Sequence, residues 1–425
     1  MTLRDAGLFA LLAVLLVLTG VMQSWNLALQ ILNMGLISAI MALGVNLQWG
    51  FAGLFNVGVM GFVALGGLAV ALTAMPPVGD AWRAGGVGVI SALIVAAMSI
   101  VAAVVLWRKD VPARGWLVAA VLVAGFIFYR MLFDPARDAI EAVNPALQGN
   151  LGGLGIPVVL AWPVGGVLAA GAAWIIGKTA LGLRSDYLAI ATLGIAEIIL
   201  AVMKNEDWLA RGVKNVIGIP SPLPTAIELQ ETASFAERFA DPVTASTISV
   251  KLGYALMFTA VLLVLILLMQ LALRSPWGRM VRAIRDNETA AEAMGKDVTR
   301  RHLQIFVLGS AICGLAGAMM TTLDGQLVPG TYQPLRFTFL IWVMVIVGGS
   351  GNNFGAVLGG MLIWFLWVQV EPIGAWLMDK VTTPLPEGDF KNHLLDSVAF
   401  MRLFTMGLIM LLVLRFSPRG LIPER

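Results

Sequence analysis

Residues that build metal and redox sites are almost missing from this chain. Its one cysteine, Cys313, lies within an apolar run, which excludes an intramolecular disulfide and a thiolate cluster. Two histidines, His302 and His393, are too few for a histidine-built metal site, and no metal or other cofactor is expected. Charge is scarce as well. Asp, Glu, Lys and Arg make up 12% of the 425 residues, where soluble domains carry roughly a quarter. The net charge is only +3, and no soluble basic domain exists to hold a nucleic acid. A nucleotide cradle is also lacking. The stretch "GAAWIIGKT", residues 171–179, has five residues between its glycines instead of four and follows an apolar run rather than a strand. No histidine lies well within an apolar run and no carboxylate pair does, so an enzyme is not expected.

What is present is oil: 59% of the residues are hydrophobic. A helix needs about 20 apolar residues to cross a hydrocarbon layer of about 30 Å. Twelve candidate runs fall at 7–23, 27–47, 51–74, 87–106, 115–132, 157–177, 187–203, 251–273, 303–322, 337–348, 355–370 and 398–414. None shows the ten-residue alternation of an outer-membrane barrel, so the spans are helices whose backbone groups are satisfied internally. The expected fold is all-α: a polytopic membrane bundle of about 8–12 helices, some short or glycine-broken, in one transmembrane domain over 1–425. The first run, "LFALLAVLLVLTGVM", is long and followed at once by another, which favours a retained helix over a cleaved signal.

If all runs cross, 16 of the 28 Lys and Arg residues, from Arg4 to Arg425, share a side with the termini and residues 274–302. The acids favour the opposite side, where the long loop 204–250 falls. Basic residues concentrate in the cytoplasm, so both termini and 274–302 are predicted cytoplasmic, and 204–250 external.

One polar island interrupts the oil: "IRDNETAAEAMGKDVTRRH", residues 284–302. Its local signals predict two short helices, one over "WGRMVRAIRD" and a second with Thr289 as cap, Glu292 three residues on and Gly295 as the stop. Val281, Ile284, Ala291, Met294 and Val298 recur at helical intervals as a narrow apolar stripe. From the residues alone, the island reads equally as a solvated loop obeying the orientation rule or as a docking element.

The stretch "SPWGRMVRAIRDNETAAEAMGKDVTRRHLQIFVLGSAICGLAGAM" resembles the cytoplasmic coupling loop of ABC importer permeases. The family's Glu-Ala-Ala, three-residue gap, glycine pattern falls on Thr289, Ala290, Ala291 and Gly295, with Thr289 in place of the acid and Glu288 one position early. Downstream, Ile305 fits, but Gly309 stands where a proline is expected. That variant resembles the branched-chain amino acid permease family. Three more stretches resemble its M-type subunit: "GLRSDYLAIATLGIAEII" (182–199, with Ser185 for the usual glycine), "GFAGLFNVGVMGFVALGGLAVAL" (50–72), and "VMVIVGGSGNNFGAVLGG" with the tail "RFSPRGLIPER". Residues 76–150 carry no such motif. The resemblance implies a permease in a bacterial inner membrane, importing branched-chain amino acids or relatives such as urea, amides or other amino acids. It also implies cytoplasmic ATPase subunits, a periplasmic binding protein and a second permease subunit; the outward loop 204–250, rich in proline and acids, is the expected docking surface for the binding protein. The ATPase would engage Arg285, Glu288, Thr289, Ala290, Ala291, Glu292 and Gly295.

Two glycine-interrupted stretches, "WGFAGLFNVG" and "GGSGNNFG", lie in opposite halves, with Asn46, Asn56, Asn352 and Asn353 on or beside them. Paired breaks mark transport sites; small residues and asparagines equally serve tight helix packing. Glu197 is the sole acid well inside a predicted span and should face the interior or stay protonated, either on the substrate path or as an interfacial residue. An ion-coupled secondary transporter would need more such groups. Tyr187 reads as an interfacial anchor.

Overall fold

The computed structural model describes residues 3–109, 112–145, 149–383 and 388–424, which are almost entirely helical. The principal helices are α1 (Leu3–Met22), α2 (Trp25–Val45), α3 (Val59–Ala74), α4 (Val87–Arg108), α5 (Arg114–Glu141), α6 (Val158–Ala180), α7 (Ser185–Asn205), α8 (Pro242–Arg274), α9 (Pro276–Asp286), α10 (Glu288–Ala293), α11 (Val298–Asp324), α12 (Leu340–Gly348), α13 (Asn353–Thr382) and α14 (Met401–Phe416). Among the described residues, ten helices are long and apolar enough to cross a membrane, and Val59–Ala74 and Leu335–Gly348 are shorter apolar helices. Each of the twelve predicted runs has a helical counterpart.

Three boundaries differ from the sequence expectation. Residues 51–58 are not helical, because α2 ends in a wide turn over Asn46–Gly50, closed by Phe51 N donating to Asn46 O at 3.1 Å. Helix α8 begins at Pro242, well inside the expected loop, with Asp241 capping it through bonds from Val243 N and Thr244 N at 3.2 Å each. Helix α5 runs on to Glu141, so Glu197 is not alone among acids on long helices. Asp134 also lies there, paired with Arg130 at 2.9 Å, and Glu371 of α13 pairs with Arg402 of α14.

At the centre stands α2, packed against α8, α11 and α13; every residue from Asn33 to Gln48 is buried. A helix apolar on all faces belongs inside a bundle or a bilayer. Small residues bring the neighbouring axes close. At the meeting of α3, α6 and α11, a methyl at Gly66 would overlap the Gly314 carbonyl, and one at Gly314 would overlap the side chain of Ala169 and the backbone of Gly165. The "GAAWIIGKT" stretch lies wholly within α6, a continuous helix rather than a loop.

Helices α4 and α5 form a peripheral hairpin with a separate apolar cluster, including Val89, Ala92, Phe133, Ala136 and Ile140. Trp208 anchors it edge-on to Phe133 at 5.4 Å. The 204–241 connection is ordered by short helical turns and by strand β1 (Val216–Ile217). This strand pairs antiparallel with β2 (Gln326–Leu327), just beyond the end of α11.

Candidate functional site

The island folds as two short helices. Pro276 opens α9 at a position where a missing N–H costs nothing, and Val281 and Ile284 bury its inner face. Helix α10 starts two residues earlier than expected. Its cap is Asn287, not Thr289: the Asn287 Oδ1 accepts from Ala290 N at 2.9 Å, and Thr289 falls inside the first turn. Asn287 sits in extended backbone between the helices, the geometry a cap requires, and asparagine ranks above threonine there. The stop is Gly295, as expected. It adopts φ +73°, and the bonds Gly295 N to Glu292 O (2.8 Å) and Lys296 N to Ala291 O (3.1 Å) complete a Schellman closure.

The apolar stripe divides. Val281, Ile284, Ala291 and Val298 are buried within the chain, whereas Met294 is 78% exposed. Glu288, Thr289, Ala290, Glu292 and Gly295 are exposed. Between α9 and α10 runs a groove of about 530 Å³ lined by Met280, Ala283, Ala290 and Met294 and rimmed by Arg279 and Lys296.

Arg285 points the other way. Its Nη1 donates to the carbonyl of Gly50 at 2.6 Å and to Glu424 Oε2 at 2.9 Å, joining the island to the break after α2 and to the C-terminal tail. Burial pulls the guanidinium pKa down, but hydrogen bonds and charge from Glu424 and Asp286 outweigh it and hold the pKa above its ordinary value.

The two glycine breaks meet at this point. Asn46 Oδ1 accepts from Gly351 N at 2.9 Å, and Asn46 Nδ2 donates to Asn353 Oδ1 at 3.4 Å. A methyl at Gly50 would overlap Asn46 Oδ1, so only glycine admits this contact. Asn352 caps α13 through Phe354 N (3.0 Å) and Gly355 N (3.3 Å), and its Nδ2 donates to Pro423 O at 3.0 Å. The tail is also held by Leu421 N to Val347 O and Ile422 N to Gly348 O, each 2.9 Å. Arg425 lies outside the described residues.

Asn56 sits apart from this cluster. It donates to Gln48 Oε1 at 2.9 Å and accepts from Gly58 N at 2.9 Å, while Gln48 Nε2 reaches Phe306 O (2.9 Å) and Ser310 Oγ (3.0 Å) on α11. Glu197 is not with the asparagines. Thr192 and Ala196 of α7 face residues 57–61, with Val57 N donating to Thr192 Oγ1 at 3.1 Å, but Glu197 is exposed on the helix's other face. The expectation that it faces the interior is not met within this chain. Sequence reasoning missed Gln48, Trp342, whose Nε1 donates to Asn56 O at 3.1 Å, and Glu424. The nearness of Gln48 to Asn46 across the wide turn was the one available signal.

Chemically, this is a joint. One guanidinium links a surface helix pair to two broken membrane helices and a tail, so a force on α9 is delivered to Gly50 and, through Glu424, to the tail held at the second break.

Known proteins resemble the chain along most of this framework. Residues 27–414 match the family described as branched-chain amino acid transport system / permease component. The "High-affinity branched-chain amino acid transport system permease protein LivM" of Escherichia coli (strain K12) is 31% identical over 231 residues, 53% of this chain and 53% of its own. The "Probable branched-chain amino acid transport permease protein LivM" of Methanocaldococcus jannaschii is 28% identical over 68% of this chain and 74% of its own. The "D-allose transport system permease protein AlsC" of E. coli is 27% identical over 57% of this chain and 67% of its own. The chain thus spans about half the length of the E. coli LivM it matches. No solved structure matches it. The family match extends over both glycine breaks and the island, and on that ground the chain belongs to the permease components of branched-chain amino acid transport systems.

Proposed function

We propose that this chain is a translocation subunit of an ABC importer for branched-chain amino acids, moved by ATPase subunits that grip the island from the cytoplasm. The observation that carries the reading is the Arg285 joint: this half-buried arginine, bonded to both Gly50 and Glu424, ties a solvent-facing groove to the broken helices. The ATPase engages Glu288, Thr289, Ala290, Glu292 and Gly295, all exposed, with Ala291 packed beneath them. Both termini lie in the cytoplasm of the inner membrane, and a binding protein delivers substrate to the outer 204–241 connection. A second permease subunit covers the outer face of α7. Glu197 is exposed there amid Ile190 and Ile198, and a lipid-facing carboxylate would cost about 3 kcal/mol or more. In this reading Glu197, Asn46, Asn56, Asn352 and Asn353 border the path between the subunits.

Ala290→Arg tests the grip, because Ala290 is exposed and lines the groove. The expected outcome in proteoliposomes is loss of about tenfold or more in ATP-driven leucine uptake and of ATPase co-purification, with an unchanged melting temperature. Wild-type uptake by that variant sinks the assignment. The likeness to AlsC motivates a sugar as the second reading; competition of leucine uptake by D-allose decides between them.

A further inference from the structure

At the end of the bundle opposite the island lies a cavity of about 250 Å³ between α2, α8, α11 and α13. It is below the roughly 300–1,000 Å³ of sites for drug-sized ligands and suits a small metabolite. Its polar groups are unusual for a membrane bundle, where buried polar atoms are ordinarily paired. Asn33 is 0% exposed; its Nδ2 donates to Lys251 O at 2.9 Å, but its Oδ1 has no partner. Trp364, 6% exposed, has no partner for Nε1, and Arg336 has none for Nε. All three residues line one cavity, with these unpaired atoms buried in its wall.

The Arg336 guanidinium is held by aromatic faces, 5.2 Å from the Trp364 ring centroid and 5.1 Å from that of Phe337, and among the described residues it forms no ion pair. Asp324, the last residue of α11, lines the same cavity and feels the Arg336 charge, but the two form no direct ion pair. Lys251 is occupied by Asn26 O (3.2 Å) and Gln30 Oε1 (3.3 Å). The charged groups of the lining left without a hydrogen bond or ion pair are the Arg336 guanidinium and the Asp324 carboxylate. Leu27, Ile31, Met34 and Leu323 supply an apolar wall.

We infer that this cavity binds a zwitterionic α-amino acid, its carboxylate on Arg336, its ammonium on Asp324, and its aliphatic side chain against Ile31 and Met34. A bound zwitterion gives both unpaired charges a partner at once. A carboxylate alone leaves Asp324 without a partner, and an amine alone leaves Arg336 without one. The placement also links the cavity to the receptor-facing loop: β1 pairs with β2, and Ile219 N donates to Gly325 O at 3.1 Å, next to Asp324. The aliphatic identity of the ligand rests on the transport reading above; the requirement for both charges rests on the cavity alone.

The test is equilibrium binding of radiolabelled L-leucine to the purified full chain, with isoamylamine and 4-methylpentanoate as competitors lacking one charge each. Leucine is expected to bind, with each single-charge analogue weaker by about tenfold or more. Arg336→Met should weaken leucine to the level of isoamylamine while leaving isoamylamine itself unchanged. Asp324→Asn, at an exposed helix end where misfolding is a lesser risk, should weaken leucine and leave 4-methylpentanoate unchanged. Equal binding of leucine and both analogues, or wild-type leucine affinity in both variants, overturns the site. If the assembled complex imports leucine but the chain's leucine binding is untouched by either variant, the site fails and the transport reading stands. If a zwitterion binds here and the complex imports no branched-chain amino acid, the transport reading fails and the site stands.

Discussion

Helices α2 and α4 are both long and apolar, yet they occupy opposite situations. In the segment built on α2, 83% of the most apolar window is buried inside the chain; in the segments carrying α4 and α5 the shares are 17% and 11%. The difference lies in the small and polar residues, not in oiliness. Helix α2 presents Gly44 to the Gly309 carbonyl and Cys313, and it carries Asn33, Ser38 and Asn46 at positions where other helices satisfy or approach them. Helix α4 carries mainly Val, Ile, Leu and Ala outward, with Val87, Met98, Ile100 and Val101 all exposed. Close approach of backbones holds the centre together, and lipid-compatible side chains clothe the hairpin.

The contrast breaks most sharply by adding one methyl group to each region. Gly66→Ala drives a methyl into the Gly314 carbonyl, backbone that cannot yield, and should cost at or above the top of the range of about 1–3 kcal/mol for overpacking. Gly115→Ala in the first turn of α5 meets no atom within 4 Å, and alanine is the better helix former. Its effect should lie within about 0.5 kcal/mol of zero. Thermal unfolding of the two variants in one detergent checks the pair; equal shifts would erase the distinction drawn here.

Asn46→Leu sharpens it at the joint. Removing the amide strands Gly351 N and Asn353 Oδ1, at a cost of about 2 kcal/mol. Hydrogen exchange should rise at 347–353 and not in the α4–α5 hairpin. The smallest effect belongs to α8, which touches the centre on one face only. Hydrogen bonds from Thr244, side chain and backbone, and from Val243 N hold the Asp241 pKa below the usual range. A depressed carboxylate stabilises the fold above its unfolded pKa, about 3.9, and that contribution is lost as pH falls through the lower folded value. Asp241→Asn keeps a capping oxygen without the charge. The melting-temperature advantage of the unmodified chain over this variant should therefore shrink between about pH 5 and pH 3.

The island was legible almost residue by residue, because caps are local. Proline at the start of α9 and Gly295 at the end of α10 state their own backbone requirements. The one local error, Thr289 for Asn287 as cap, arose because both residues are competent and only the extended backbone at Asn287 decides between them. The cavity at the other end was not legible at all. Asp324 and Arg336 read as the ends of an ordinary loop, and nothing in the linear pattern brings that loop against Asn33 and Trp364. Glu197 illustrates the same gap from the other side: its place within a span was readable, the face it occupies was not.

By itself, then, the amino-acid order determined that this chain crosses a membrane many times as helices, where those helices lie, and that a capped polar pair interrupts them. Hydrocarbon thickness and unsatisfied backbone groups act on each segment separately, so composition and length suffice. Only the tertiary structure decided which apolar helices are inside, that the two glycine breaks touch one another beside Arg285, and that Arg336 and Asp324 share one cavity without pairing. Lipid is as apolar as a protein interior, so hydrophobicity cannot tell a buried face from a lipid-facing one. That choice falls to shape and to polar pairing between segments hundreds of residues apart.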